Sequence, residues 1–131
     1  MKALVFTKGK GVSLEDIELN EDSFKKIIGV NELQYCERTV GRKKFILVTK
    51  REFSNEYITA VTKDIKVAVI GTFIVCKKNN DTLEGLSSED CELLATRQRL
   101  TGTKKFGTQK FPALIIDETQ ERHIAMLFAG K

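Results

Sequence analysis

The 131-residue chain has one proline, one histidine, three cysteines and no long apolar run. Each scarcity excludes something. A single proline, with nine glycines and no low-complexity stretch, is not the composition of a linker or a disordered tail. Cys36, Cys76 and Cys91 form no pair at metal-binding or redox spacing, which fits a reducing compartment. With His123 as the sole histidine there is no Cys/His cluster, so no metal site is expected. The longest apolar stretch, Val67 to Cys76, is far short of the roughly 20 residues of a membrane-spanning helix. No basic-then-apolar leader with a small-residue cleavage site opens the sequence, and the expected location is the cytoplasm.

What is present is globular. Hydrophobic residues make up 41% and charged residues 31%, the balance of a chain that buries a core and keeps a charged surface. The size prior gives one domain over residues 1–131. Such a domain buries about two-thirds of the surface its unfolded chain exposes.

The net charge of +4 is too small by itself to imply nucleic acid, but it hides a segregation. Between Glu37 and Glu52 lie Arg38, Arg42, Lys43, Lys44, Lys50 and Arg51 and no acid; between Glu92 and Asp117 lie Arg97, Arg99, Lys104, Lys105 and Lys110 and again no acid. The rest of the chain holds eleven bases against eighteen acids. If the two windows meet in space, the surface is dipolar and presents an anion-binding face. If they do not, they are solvated hairpin and loop edges, where lysine also guards against edge-to-edge pairing.

Hydrophobic patterning then sets the elements. Lys2 to Phe6 reads as an opening strand, Lys8 to Gly11 as a turn, and Val12, Leu14, Ile17 and Leu19 as a returning strand. Asn20 is placed to cap a helix over Glu21–Ile28, with Phe24, Ile27 and Ile28 on one face and Gly29 as its stop. Leu33–Val40 and Lys44–Lys50 predict a hairpin around Gly41-Arg42-Lys43, and Tyr57–Val61 a weaker strand. Ile65–Cys76 is the clearest strand: from Val67 both alternating rows are apolar, which places it at the centre of a sheet covered on each side. Gly71 within it marks a bulge or a close backbone approach.

Ser87 is expected to cap a second helix, with Asp90 completing a relative of the capping box and Leu86 stapling against Cys91. The spacing predicts that this helix runs to Leu100 and closes at Thr101-Gly102, so that Arg97 falls on the stripe of Leu93, Leu94 and Leu100. Phe111–Asp117 and Arg122–Phe128 predict a last hairpin across Glu118-Thr119-Gln120-Glu121. The sum is an α+β fold: a mainly antiparallel sheet with two helices and a C-terminal β-hairpin.

The opening Met1-Lys2-Ala3-Leu4-Val5, the helix end Ile28-Gly29, the strand Val69-Ile70-Gly71-Thr72-Phe73-Ile74-Val75 and the helix start Leu86-Ser87-Ser88-Glu89-Asp90 resemble, in this order, one family. It is a family of small uncharacterised proteins encoded by phages and mobile elements, and the resemblance covers about residues 1–95. The chain departs from it in two places. Glu52–Asp64 has no glycine where the family has a Gly/Asn-rich middle segment, and residues 101–131 fall outside the resemblance. The family has no assigned active site, so no residue role carries over. The resemblance implies a setting, that of a small phage or prophage protein in a bacterial cytoplasm.

Catalysis has little to work with. His123 has Ala125 and Leu127 on its side of the expected strand and no sequence-evident Cys or Ser partner. The carboxylates fall mostly in helix caps and turns. Gly102-Thr-Lys-Lys-Phe-Gly107-Thr108 brushes the spacing of a phosphate loop, but it lacks the lysine after the second glycine. It also follows a helix and precedes a strand, the reverse of the order that aims a helix N-terminus at phosphates. As a clamp the same loop has Lys104, Lys105 and Phe106, two cations and a stacking face. Arg97 on an apolar stripe needs a partner: an internal acid, solvent reached by snorkelling, or a ligand phosphate.

The expectation is therefore a non-enzymatic phage-type binding protein that counteracts a host process. In its concrete form, as an anti-defence device, it sequesters a phosphate-bearing nucleotide immune signal in a basic pocket. Arg97, Arg99, Lys104, Lys105 and Phe106 would line it, completed by Arg42, Lys43 and Lys44 of a neighbouring subunit. No catalytic residue, cofactor or metal is assigned, and no membrane association is expected. The first alternative is a protein–protein inhibitor that turns the same surface on an acidic host enzyme or transcription factor. A nucleic-acid binder is the next, and a small hydrolase using His123 and a spatially adjacent acid the last. A homo-oligomer stays open, since Phe128 and the Ala113–Ile116 row can pack internally or across a two-fold axis.

Overall fold

A computed structural model describes residues 1–7, 11–50, 58–62, 67–80, 82–102, 110–117 and 122–123. The strands are β1 (Lys2–Thr7), β2 (Gly11–Asp16), β3 (Leu33–Val40), β4 (Lys43–Lys50), β5 (Ile58–Thr62), β6 (Val67–Ile70), β7 (Phe73–Asn79), β8 (Thr82–Glu84), β9 (Gln98–Gly102), β10 (Lys110–Ile116) and β11 (Arg122–His123). Helix α1 spans Glu21–Ile28 and helix α2 Ser88–Thr96. Seven strands form one sheet in the order β11-β3-β4-β7-β1-β2, with β8 on the end of β7; four form a second, β6-β5-β10-β9. Every described pairing is antiparallel except that of β5 with β10. The fold is α+β.

Period-two alternation explains the layering. Phe45 and Leu47 of β4, Leu4 and Phe6 of β1, and Phe73 and Val75 of β7 share one core with Ala60, Val69, Leu114 and Ile116 of the smaller sheet and Leu94 of α2. The alternate residues Ile46, Val48, Ala3, Val5, Ile74 and Cys76 form a second core with Phe24 of α1. The larger sheet is thus covered by α1 on one face and by the smaller sheet and α2 on the other. Both of its central faces are apolar for that reason.

The run expected as one strand over Ile65–Cys76 is two. Gly71, at φ +85°, and Thr72 turn the chain out of the smaller sheet, where β6 pairs with β5, into the larger one. β7 then takes the predicted central place between β4 and β1. The second helix is also shorter than its periodicity predicts. It starts as expected, with Ser87 and Asp90 exchanging both bonds of a capping box, but ends at Thr96, whose hydroxyl donates to the Leu93 carbonyl at 2.8 Å. Arg97 leaves the helical region (φ −102°, ψ 53°), and Gln98–Gly102 becomes a strand paired with β10. Ladder pairing with a neighbouring strand overrides a helical period that only Leu100 extended. The C-terminal hairpin lies partly outside the described residues: β10 is there, and Arg122–His123 pair with β3. Ala113, Leu114 and Ile116 are fully buried inside this chain, so that row packs internally.

The β3–β4 connection is a two-residue turn with Gly41 at φ +57° and Arg42 at φ +69°, flanked by the pair Val40 and Lys43. Positive φ at both positions gives the twist that a tight hairpin needs. Gly41 also lies against α2, where a Cβ would stand 2.5 Å from Leu93 Cδ1. The terminal methyl of Leu93 can swing aside, so backbone strain dominates, and Gly41→Ala is expected to cost about 1–2 kcal/mol. Denaturant unfolding measures this; a loss below about 0.5 kcal/mol would contradict the left-handed turn.

Candidate functional site

At the hairpin tip one residue of each basic window comes to the same strand end. The Arg42 backbone N–H donates to Asp117 Oδ2 at 2.9 Å, and the Asp117 N–H donates to the Thr39 carbonyl at 2.8 Å. Two residues earlier, the Ile115 N–H donates to the Arg97 carbonyl at 2.7 Å. Arg42 from the first window and Arg97 from the second therefore both contact the end of β10, at residues two apart along the chain. Both come from one chain, so no neighbouring subunit is needed to join them. Both side chains are exposed, which overturns the placement of Arg97 on a buried stripe. Arg99 lies in β9 opposite Ala113, and its backbone alone is described. Lys104, Lys105 and Phe106 lie outside the described residues.

The other two tip bases part company. Lys43 continues the Phe45 and Leu47 row and points to the α2 side, where its Nζ lies 3.2 Å from Asp90 Oδ1. Lys44, the next residue, stands on the opposite face and is exposed. Lys43 is thus a structural base as well as a candidate ligand contact.

Asp90 is the centre of a polar cluster that sequence reasoning read only as a cap. Its side chain is fully buried and accepts from Lys77 Nζ at 2.7 Å, the Ser87 N–H at 2.9 Å and Lys43. Burial works to raise its pKa; Lys77, Ser87 and Lys43 outweigh that and hold the carboxyl well below the usual carboxylate range. The Asp90 hydrogen bond in turn raises the pKa of Lys77, which also lies 3.6 Å from Glu84. The cluster clips the start of α2 onto β4 and β7. Its one sequence signal was an acid at the third helical position, and nothing in the sequence named the two lysines as its partners.

Sequence reading also missed which bases share this end of the sheet. The registers of β4, β7 and β1 bring Lys77 and Lys78 to the same end as the hairpin tip, although both lie outside the basic windows. The tip end therefore gathers cations from β3–β4, β7 and the segment after α2.

Nucleophiles are placed less favourably. Cys76 is fully buried, and burial pushes its thiol up to about 12; burial, and then the charge of Asp90, raises that of Cys91. Both stay protonated at neutral pH, which removes their nucleophilic form. His123 lies opposite Cys36 in the β11–β3 register, and Arg122 opposite Glu37. Among the described residues no three His, Cys, Asp or Glu side chains are grouped to hold a metal ion, and no helix is long and apolar enough to cross a membrane. Compared with family models, curated proteins and solved structures, the chain matches none.

Proposed function

We propose that this chain is a non-catalytic binding protein that sequesters a phosphate-bearing, nucleotide-type ligand on the basic end described above. The family resemblance supplies the setting: a phage-type protein that withholds a signal from a host process in the bacterial cytoplasm. The observation that carries the reading is Arg42. A long charged side chain occupies a left-handed turn position at φ +69°, where glycine or asparagine sits without strain. It stands beside the β10 end that also receives Arg97. An exposed arginine kept at a turn position that glycine would relieve supports a contact role for its side chain.

Two measurements test this. The protein is incubated with a panel of cyclic nucleotides and ADP-ribose-type compounds, desalted, heat-denatured, and the released ligand analysed. Recovery of an intact nucleotide supports sequestration; a converted product would mean catalysis, and no retention of any compound would remove the proposal. Arg42→Gly then separates stability from binding. Relief of turn strain is expected to stabilise the fold by about 0.5–1 kcal/mol, while the lost cation weakens retention about five- to tenfold. Arg97→Gln is expected to weaken retention similarly without stabilising the fold. Unchanged retention in both variants would place the ligand elsewhere. Affinity for DNA that falls steeply with salt would favour the nucleic-acid reading instead.

A further inference from the structure

The lysines at this end of the larger sheet divide by face, and only one pair is neutralised. Lys43 and Lys77 lie on the α2 side and share the buried carboxylate of Asp90, with Glu84 beside Lys77. Lys44 and Lys78, one residue further along each strand, stand on the other face and are exposed. The last paired level of β4 and β7 toward this end is Ile46 with Cys76. Beyond that last hydrogen-bonded pair, the same register extrapolated by two residues assigns Lys44 and Lys78 to one level and one face. Thr39 is the partner of Lys44 across β3–β4, and Leu83 that of Lys78 across β7–β8. The row Thr39, Lys44, Lys78, Leu83 contains no acid. Glu37, the next residue of that face along β3, is opposite Ile46 and has Arg122 as its partner on its other side. Neither ammonium makes an ion pair or hydrogen bond among the described residues.

Like charges at one level of neighbouring strands repel. The fold places a buried carboxylate between the diagonal pair Lys43 and Lys77 and leaves Lys44 and Lys78, which the register sets opposite each other, open to solvent. We propose that Lys44 and Lys78 form a phosphate subsite, a two-cation clamp that takes one phosphate group of the ligand. Each ammonium donates to a phosphate oxygen as a mobile point charge, and the anion occupies the place that Asp90 fills on the other face. The subsite rests on the anion-binding reading above and narrows it by naming Lys78, which lies outside both basic windows.

Isothermal titration with inorganic pyrophosphate tests it in four proteins: the native chain, Lys44→Gln, Lys78→Gln, and Lys26→Gln on the exposed side of α1 as the charge control. Lys44→Gln and Lys78→Gln are each expected to weaken pyrophosphate about five- to tenfold and to raise the ligand-free melting temperature by relieving repulsion. Lys26→Gln is expected to stay within about twofold. The subsite is overturned if the native chain does not bind pyrophosphate, if the two variants bind within twofold of it, or if the control loses as much as they do. Failure of the broader reading looks different. Nucleotide retained by the Lys44→Gln/Lys78→Gln double variant removes the subsite and leaves sequestration standing. Pyrophosphate binding without retention of any nucleotide does the reverse.

Discussion

Phe73→Ala is expected to destabilise the protein by about 3–5 kcal/mol, the largest loss from any single truncation considered. Phe73 has no exposed surface, and its ring stacks on Phe6 with centroids 4.7 Å apart and planes 8° from parallel. The two residues are register partners on β7 and β1, so the stack lies across the middle of the larger sheet. It faces the smaller sheet, in the core that also holds Val69, Leu114 and Ile116. Alanine there loses the transfer energy of a phenyl ring and leaves a void between two sheets that cannot close over it. A domain of this size has about 5–15 kcal/mol of stability in all. Urea unfolding is expected to show a lower midpoint with an unchanged slope. A loss under about 1.5 kcal/mol would mean that the sheets do not share a close-packed core.

Asp90→Ala is expected to cost about 2–4 kcal/mol at pH 7, the sum of a lost helix cap and of two lysines left without their carboxylate. Asp90→Asn keeps the shape and isolates the charge. The sign of its pH dependence follows from the direction of the shift. The folded-state pKa lies below the ordinary 3.8, so the charge stabilises the fold fully above that value. As pH falls through 3.8 toward the depressed folded value, the unfolded chain takes up the proton first and the stabilisation drains away. The stability gap between native protein and Asp90→Asn should therefore be flat from pH 8 to about 5 and narrow in more acid solution. A gap that widened on acidification would contradict the ion-paired carboxylate.

Local signals were legible where chemistry within a few residues decides the structure. Asn20 accepts from the Ser23 N–H, Gly29 ends α1 in the left-handed region, and Ser87 with Asp90 makes the capping box, all as their spacing predicts. The β3–β4 hairpin follows from alternation and a glycine turn. What was not legible depended on partners far along the chain. Whether Gln98–Gly102 continues a helix or adds to a sheet is decided by Lys110–Leu114, its register partners. The run from Val67 to Cys76 satisfies one strand or two equally well until the smaller sheet supplies a place for β6. At the site, the bunching of charge in two windows pointed to Arg42 and Arg97, which the fold does bring to one strand end. It gave no hint of Lys77 and Lys78, because their nearness to the tip is a matter of strand order.

The contacts that assemble the basic end have a thermodynamic consequence. Arg42 meets Asp117 across 75 residues of chain and Lys43 meets Asp90 across 47. The proposed ligand, bound across this end, would therefore favour the forms in which these distant segments are together. Occupancy and global folding are then linked equilibria: at a free concentration of 100 Kd, the ligand adds about 2.7 kcal/mol to unfolding. Conversely, any opening that parts these segments would release the proposed ligand. Under the proposed sequestering function, retention would then follow the stability of the long-range contacts that join these segments.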